Sequence, residues 1–272
     1  MKMDLSVSNI ALPEYHHSNE LSKLKELGIG GIEVAPSRVW RDTWSGLKVQ
    51  QVESYRQLLK DRDLEVVGLH SLLYDHKNLG LFGDKVNRNM TIDFLVHLST
   101  VCRDLGGKTL VYGGGRWRLG LTEEEAFSKT LEFFSDLIPR IESHKTTFCF
   151  EPLAPAHSDF INSVNDSIKL VEEIQHPSLR VQLDIGALVQ NGELELNIFQ
   201  RAAPYLVHVH INELDLGILA ESGPVDHKKA GELLKNINYS KYVSIEQRMI
   251  GPTETIESLS KSVLVYNKYY KK

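Results

Sequence analysis

The chain contains little cysteine. Of its 272 residues only Cys102 and Cys149 are cysteines, and neither belongs to a Cys-x-x-Cys pair. Both lie in apolar stretches, which favours reduced thiols over a disulfide framework. No run approaches the about 18 apolar residues of a membrane span, and the N-terminus lacks an apolar segment of signal-peptide length. These absences predict a cytoplasmic protein with no membrane partner.

Basic runs and a phosphate-binding loop are also absent. Lysine and arginine total 31 against 36 acidic residues, so the net charge is −5, and no basic cluster is long enough to follow a phosphate backbone. Nucleic acid is therefore a poor candidate partner, and a small molecule is favoured. The stretch after the first predicted strand, SNIALPEYHH, has no glycine, and Gly113-Gly114-Gly115 lacks the Lys-Ser/Thr of a P-loop. A doubly wound nucleotide-binding sheet is thereby disfavoured.

Apolar strand-like segments alternate with helix-like segments along the whole chain. We predict eight strands and eight helices, which favours a single α/β domain, a (β/α)8 TIM barrel spanning residues 1–272, with a short charged tail from about 266. The predicted strands cover residues 5–10, 31–35, 65–70, 109–112, 147–150, 181–183, 207–209 and 243–245. In such a barrel the chemistry lies at the C-terminal ends of the strands.

The last four predicted strands each end on a side chain that can bind a metal ion. These residues are Glu151, Asp184, His210 and Glu246, separated by 33, 26 and 36 residues. Each interval is close to the roughly 30 residues of one strand-helix-strand unit, so the four side chains meet at one end of the barrel. Three carboxylates and one imidazole predict a site for one divalent cation, with Mn²⁺ or Mg²⁺ favoured and Zn²⁺ or Co²⁺ possible.

Side-chain alternation predicts a second polar layer below these ligands. Residues two positions earlier on the same strands also point into the barrel, among them Gln182 and His208. Such residues suit a layer that orients the ligands, although satisfied polar groups of the core are an equally ordinary interpretation for Gln182.

Four motifs at the strand ends resemble a known family. Glu-Pro after strand five, Leu-Asp-x-Gly after strand six, His-x-His at strand seven and Ser-Ile-Glu at strand eight are similar to the xylose-isomerase-like TIM barrel superfamily, and most of all to its sugar phosphate isomerase/epimerase group. The resemblance covers nearly the whole chain. It implies that the four strand-end residues bind one cation and that Glu151 and Glu246 move protons.

The chemistry of these residues fits a proton transfer next to a carbonyl group. An ion chelated by a substrate carbonyl and hydroxyl stabilises an enediolate, and a glutamate then returns the proton to the same carbon or to its neighbour. We therefore predict an isomerase or epimerase acting on a small sugar or sugar phosphate.

Departures from better-known relatives restrict the substrate. Ketohexose 3-epimerases carry a histidine and an arginine where this chain has Ala187 and Leu216, and a substrate-binding glutamate where it has His157. A free-ketose epimerase of that type is disfavoured. His157 remains a candidate substrate contact, although a single loop histidine is more often solvated.

Further candidate substrate contacts come from other strand ends and loops. Asn9, Glu33, His70 and Tyr112 end the first four strands, with simple capping as the alternative for Asn9 and Tyr112. Arg116, Arg118 and Arg248 are candidates for binding an anionic group, with surface ion pairing as the alternative. The loop from Ser71 to Phe82 resembles a lid.

Other function classes share this fold. A metal-dependent lyase, such as a dehydratase of inosose or dehydroshikimate type, uses the same ion and the same proton abstraction. An apurinic-site endonuclease needs three zinc ions and more histidine ligands than the strand ends offer, and a sugar-binding module has no need of an ion between two glutamates. Homo-oligomers are common in the fold, but no pattern in this sequence demonstrates one.

Overall fold

A computed structural model describes residues 3–271 as one closed barrel of eight parallel strands in sequence order. The strands are β1 (Asp4–Ser8), β2 (Gly31–Val34), β3 (Glu65–Leu69), β4 (Thr109–Tyr112), β5 (Thr147–Phe150), β6 (Leu179–Asp184), β7 (Leu206–Ile211) and β8 (Tyr242–Ile245). The barrel closes through pairing of β1 with β8. The predicted (β/α)8 fold is confirmed.

Helices surround the barrel, and most follow the predicted positions. Within residues 3–271 they are α1 (Ser18–Leu24), α2 (Val49–Lys60), α3 (Lys85–Leu105), α4 (Glu123–Ile141), α5 (Val164–Ile174), α6 (Ile185–Gln190), α7 (Leu196–Ala202), α8 (His227–Asn236) and α9 (Thr255–Tyr269). At the start of α4, Thr122 accepts a hydrogen bond from the backbone N–H of Glu125. None of these helices is long and apolar enough to span a lipid bilayer.

Two short helices, α6 and α7, follow β6. Asp184 ends the strand and at once caps α6, accepting a hydrogen bond from the backbone N–H of Ala187 at 2.7 Å. Gly192, with a φ of 68°, then turns the chain out of that helix. Asp184 is thus fixed at the rim of the barrel as both the last residue of β6 and the cap of α6.

The C-terminal segment is part of the barrel's outer layer rather than a tail from about 266. Tyr266 and Tyr270 are buried, and their rings stack with centroids 6.1 Å apart. The Tyr266 hydroxyl donates to the carbonyl of Met3, and the Tyr270 hydroxyl lies 2.7 Å from Nδ1 of His227. The charged residues suggested a solvated tail, whereas the tyrosines anchor α9 on α8 and β1.

Strand register sets the height of the functional side chains. Between β6 and β7, Gln182 pairs with His208 and Asp184 pairs with His210. Asp184 and His210 therefore share one level at the rim, and Gln182 and His208 share the level below, as the alternation predicted.

Candidate active site

Four side chains from the last four strands converge at the C-terminal end of the barrel. The Nδ1 atom of His210 lies 3.9 Å from Oε1 of Glu151, 3.8 Å from Oδ2 of Asp184 and 3.4 Å from Oε2 of Glu246. His210, Asp184 and Glu151 are buried, and Glu246 is half-buried. The structure brings together the four residues that the sequence singled out.

This arrangement fits a divalent cation. Donor atoms around an ion with bonds of about 2.0–2.2 Å lie about 3–4 Å apart, which matches the distances around Nδ1. That nitrogen is buried and makes no hydrogen bond to any residue within 3–271. Three oxygen donors and one imidazole form a hard ligand set, so the residues present suit an ion of the Mn²⁺ or Mg²⁺ class.

The carboxylates of the cluster repel one another in the protein alone. Burial, with the charges of Asp184 and Glu246, raises the pKa of Glu151 to about 8. Burial and Glu246 raise the pKa of Asp184 to about 7. Burial acts against ionisation of Glu246 as well, but His210 and His70 hold the pKa of Glu246 well below its ordinary value. A cation would relieve this repulsion.

Glu33 lies beneath the rim and orients His210. The Nε2 atom of His210 lies 2.8 Å from Oε2 of Glu33, and Nε2 of His208 lies 3.0 Å from Oε1. Because a carboxylate only accepts, the Nε2 proton of His210 faces Glu33 and leaves the Nδ1 lone pair for an ion. Burial opposes ionisation, but the two imidazoles hold the pKa of Glu33 well below its ordinary range.

This position separates Glu33 from any substrate. Its side chain is 0% exposed, at the level of β1 residue Ser8 in the strand register. The structure gives Glu33 a supporting position, because its carboxylate lies at Nε2 of His210, on the other side of the ring from the Nδ1 atom that faces Glu151 and Glu246. Glu33, His208 and His210 also group closely enough to hold an ion. Nε2 of His210 makes a hydrogen bond to Glu33 at 2.8 Å, whereas Nε2 of His208 and Oε1 of Glu33, 3.0 Å apart, make no hydrogen bond to a residue within 3–271.

Asn212 is a site residue that the sequence reasoning missed. Its Nδ2 donates to Oδ2 of Asp184 at 2.6 Å and to Oε2 of Glu246 at 3.0 Å, while its Oδ1 accepts from the backbone N–H of Gly186 at 2.8 Å. A Cβ on Gly186 would lie 2.7 Å from that Oδ1, which accounts for the glycine of the Leu-Asp-x-Gly motif. The signal in the sequence was its position two residues after His210, because residues two apart along a strand point to the same side.

His70 supports Glu246 from the opposite side. Its Nδ1 lies 3.5 Å from Oε1 of Glu246, and its Nε2 lies 2.6 Å from the hydroxyl of Ser8. His70 is buried yet borders the cavity beside the ligands, so it lies near a substrate as well as behind Glu246. Asn9 has the capping role, since its side chain bonds the backbone N–H and carbonyl of Ala35.

Gln182 and Tyr112 are both buried. Gln182 lies below Asp184, and its amide makes no hydrogen bond to a residue within 3–271. The Tyr112 ring stacks on Phe150 with centroids 5.4 Å apart and packs against Phe133 and Phe134 of α4. Tyr112 also borders the cavity that His70 and Glu151 line, so the substrate contact predicted for it stays a prediction.

The three arginines are engaged elsewhere. Arg116 is buried with its guanidinium 4.6 Å from the Phe150 ring centroid, and it donates to Ser158 and to the carbonyl of Ile161. Arg118 lies 3.5 Å from a carboxylate oxygen of Asp159. Arg248 is 56% exposed and lies 3.6 Å from Asp215, whose carbonyl it also bonds. Arg118 and Arg248 thus pair with surface carboxylates, whereas the charge of Arg116 interacts with Glu151 and its Nη1 makes no hydrogen bond to a residue within 3–271.

Two cavities flank the ligand cluster, and Glu151 and Glu246 border both. The first, of about 420 Å³, lies under the loops after β3 and β4 and includes His70. The second, of about 380 Å³, lies under the loops after β5, β6 and β7, where His157 is exposed at its edge. Ala187 and Leu216, the residues that depart from the ketohexose epimerases, border this second cavity.

Comparison with known proteins agrees with this geometry. The family model described as "Xylose isomerase-like TIM barrel" matches residues 21–263. The fructoselysine 3-epimerase of Escherichia coli O157:H7 is 22% identical over 213 residues, which cover 75% of this chain and 73% of that enzyme.

Solved structures share the whole fold. D-psicose 3-epimerase from Clostridium cellulolyticum H10 has a TM-score of 0.81 at 15% identity, covering 99% of this chain and 100% of that one. The 3-keto-D-glucoside 4-epimerase of E. coli has a TM-score of 0.78 at 19% identity, covering 95% of this chain and 98% of that one. The IOLI protein, solved with a bound zinc atom, has a TM-score of 0.77 at 18% identity, covering 99% of this chain and 100% of that one. At these identities the likeness establishes the fold.

Proposed function

Because the chain belongs to the xylose isomerase-like TIM barrel family, we propose that it is a divalent-metal-dependent epimerase or isomerase of a small sugar. The observation that carries this proposal is the convergence of three carboxylates on the free Nδ1 of His210, with Glu151 and Glu246 each bordering both cavities. Mn²⁺ or Mg²⁺ is the expected ion, in a cytoplasmic enzyme. The epimerase names of its relatives support the reaction class.

Each ligand has a defined task in this proposal. When bound, the ion polarises a substrate carbonyl and lowers the pKa of the adjacent C–H. Glu151 and Glu246 hold their carboxylates on different strands, so one removes a proton from the carbon next to the carbonyl and the other, in its protonated form, delivers its own proton. Return to the opposite face of that carbon gives epimerisation, and return to the neighbouring carbon gives isomerisation. Asn212 and His70 keep Glu246 oriented for this step.

The surroundings of the cluster favour an uncharged sugar over a sugar phosphate. A phosphate needs several converging cations, whereas Arg118 and Arg248 pair with Asp159 and Asp215, and Arg116 and the exposed Lys77 belong to separate loops. An apurinic-site endonuclease is disfavoured for the same reason and because Ala187 stands where another ligand would be needed. A lyase that expels a β-hydroxyl uses the same proton abstraction and is distinguished by its product.

Solvent exchange tests the proposal. The purified protein, loaded with Mn²⁺, is incubated in D₂O with a panel of keto-sugars, and deuterium next to the carbonyl is measured by NMR. We expect exchange that needs the ion and that falls about 10²–10⁴-fold in Glu246→Gln. Glu53→Gln, an exposed glutamate on α2, is the matched control and retains full exchange.

The outcomes separate the candidate functions. Exchange with recovery of an epimeric or isomeric sugar supports the proposal. Loss of a hydroxyl from the product supports the lyase instead. A protein that binds the ion and exchanges no keto-sugar contradicts both.

A further inference from the structure

The first cavity has an apolar wall above the polar cluster at its base, and Ser71 and Lys77 are further polar residues in its lining. Leu72 and Leu79 are buried in this wall, and Leu73 is half-buried. Hydroxyl groups of a sugar find few partners on such a surface, because leucine side chains neither donate nor accept hydrogen bonds. The wall suits carbon-rich substrate atoms.

Two exposed aromatic residues extend this apolar surface to the mouth. Tyr74 is 70% exposed and Trp117 is 49% exposed, and both line the cavity from opposite loops. Large aromatic side chains left in water at the edge of a cleft are a feature of ligand-binding surfaces. Leu119, 75% exposed, is close in sequence but does not line the cavity.

The walls are preformed rather than dependent on a ligand. The backbone N–H of Leu81 donates to the carbonyl of Gly115 at 2.8 Å, which joins the loop after β3 to the loop after β4. The approach is close, since a Cβ on Gly80 would lie 2.9 Å from that same carbonyl oxygen. An apolar cavity of about 420 Å³ is therefore held open beside the ligand cluster.

We propose that the substrate is a sugar that carries an apolar or aromatic substituent, and that this substituent occupies the first cavity while the sugar's carbonyl end lies at the ligand cluster. This inference rests on the proposed function and names its substrate class. Ligand pockets of about 300–1,000 Å³ hold molecules of drug size, and the cavities on either side of the glutamates, about 420 and 380 Å³, both lie in that range. A free hexose leaves the leucine wall unused.

Matched pairs of substrates test the proposal. One pair is 3-keto-glucose and its phenyl β-glycoside, and the other is fructose and its 1-deoxy-1-hexylamino derivative. The kcat/KM for deuterium exchange is measured for each with the Mn²⁺-loaded protein. We expect the substituted member of at least one pair to exceed the free sugar by about tenfold or more, since each buried methylene favours binding severalfold.

Variants of the wall locate the effect. Trp117→Ala should reduce this preference about tenfold, whereas Leu119→Ala, at the neighbouring exposed position outside the cavity, should leave it unchanged. Equal or better turnover of both free sugars than of their substituted partners would overturn the inference while leaving the proposed function intact. Exchange in none of the four sugars, with the ion bound, would contradict the proposed function itself.

Discussion

The two halves of the barrel rim place similar residues at their strand ends and use them differently. The half built from β5 to β8 presents Glu151, Asp184, His210 and Glu246 to one point. The half built from β1 to β4 ends in Asn9, Glu33, His70 and Tyr112, which cap a loop, orient a histidine, support a glutamate and pack against helices. The strand-end residues of β5 to β8 surround one point, and those of β1 to β4 mostly support them, while the loops after β3 and β4 line the first cavity.

Position around His210 explains the difference. Glu33 lies 2.8 Å from Nε2 of His210, whereas Glu151, Asp184 and Glu246 lie around Nδ1 on the other side of the ring. A carboxylate at Nε2 accepts a hydrogen bond from His210 and leaves Nδ1 free. The same residue type is therefore a ligand on one side and a support on the other.

Of the variants that test this contrast, Asp184→Asn should have the largest effect on Mn²⁺ affinity. Asparagine keeps the cap on α6 but removes one ligand charge, so binding of Mn²⁺ should weaken by more than the about 10–100-fold typical of residues behind the ligands. Titration calorimetry measures the loss, with the exposed Asp61→Asn on the surface as control. Mn²⁺ affinity within twofold of the wild type would show that Asp184 does not bind the ion.

Glu33→Gln should have the next largest effect. A neutral amide no longer fixes the Nε2 proton of His210, and we expect Mn²⁺ affinity to fall about 10–100-fold with the fold retained. Tyr112→Phe, which removes a buried hydroxyl on the same half of the rim, should change affinity less than twofold. Equal losses in the two variants would show that Glu33 acts only through packing.

The pH dependence of stability should also distinguish the two halves. Glu151 and Asp184, with pKa values raised to about 8 and about 7, hold protons in the metal-free fold that the unfolded chain releases near 4.5 and 3.8. Stability of the metal-free protein should therefore fall as pH rises from about 4 to 8.

Ion binding displaces these protons, so the rise in Tm caused by Mn²⁺ should grow between pH 5 and pH 8. Thermal unfolding with and without the ion measures the difference at each pH. A Tm shift independent of pH would contradict the raised pKa values of Glu151 and Asp184. Glu246 does not contribute to the pH dependence in this range, because its pKa is lowered.

Arg248→Met should have the smallest effect. Its guanidinium lies on Asp215 at the surface, so loss of an exposed ion pair of about 0–1 kcal/mol is the only expected cost. For an uncharged sugar, KM should change less than twofold in steady-state assays. A rise in KM of tenfold or more would indicate an anionic substrate group at this position.

Strand order, strand ends and the convergence of Glu151, Asp184, His210 and Glu246 could be predicted from the sequence, because period-two alternation and regular spacing indicate them. The contact between Glu33 and His210 could not, since it joins side chains of β2 and β7 and depends on the closed barrel as a whole. The role of Asn212 also needed the structure, because its position two residues after His210 does not show which carboxylates it meets. For Arg118 and Arg248 the sequence left substrate binding and surface ion pairing open, because partners such as Asp159 and Asp215 are selected by tertiary contacts.

The most direct test of the account is an anomalous-scattering map from a crystal grown with Mn²⁺. The account predicts one strong peak about 2.0–2.3 Å from His210 Nδ1 and from oxygens of Glu151, Asp184 and Glu246. A peak between Glu33, His208 and His210, or no peak at the rim, would contradict it.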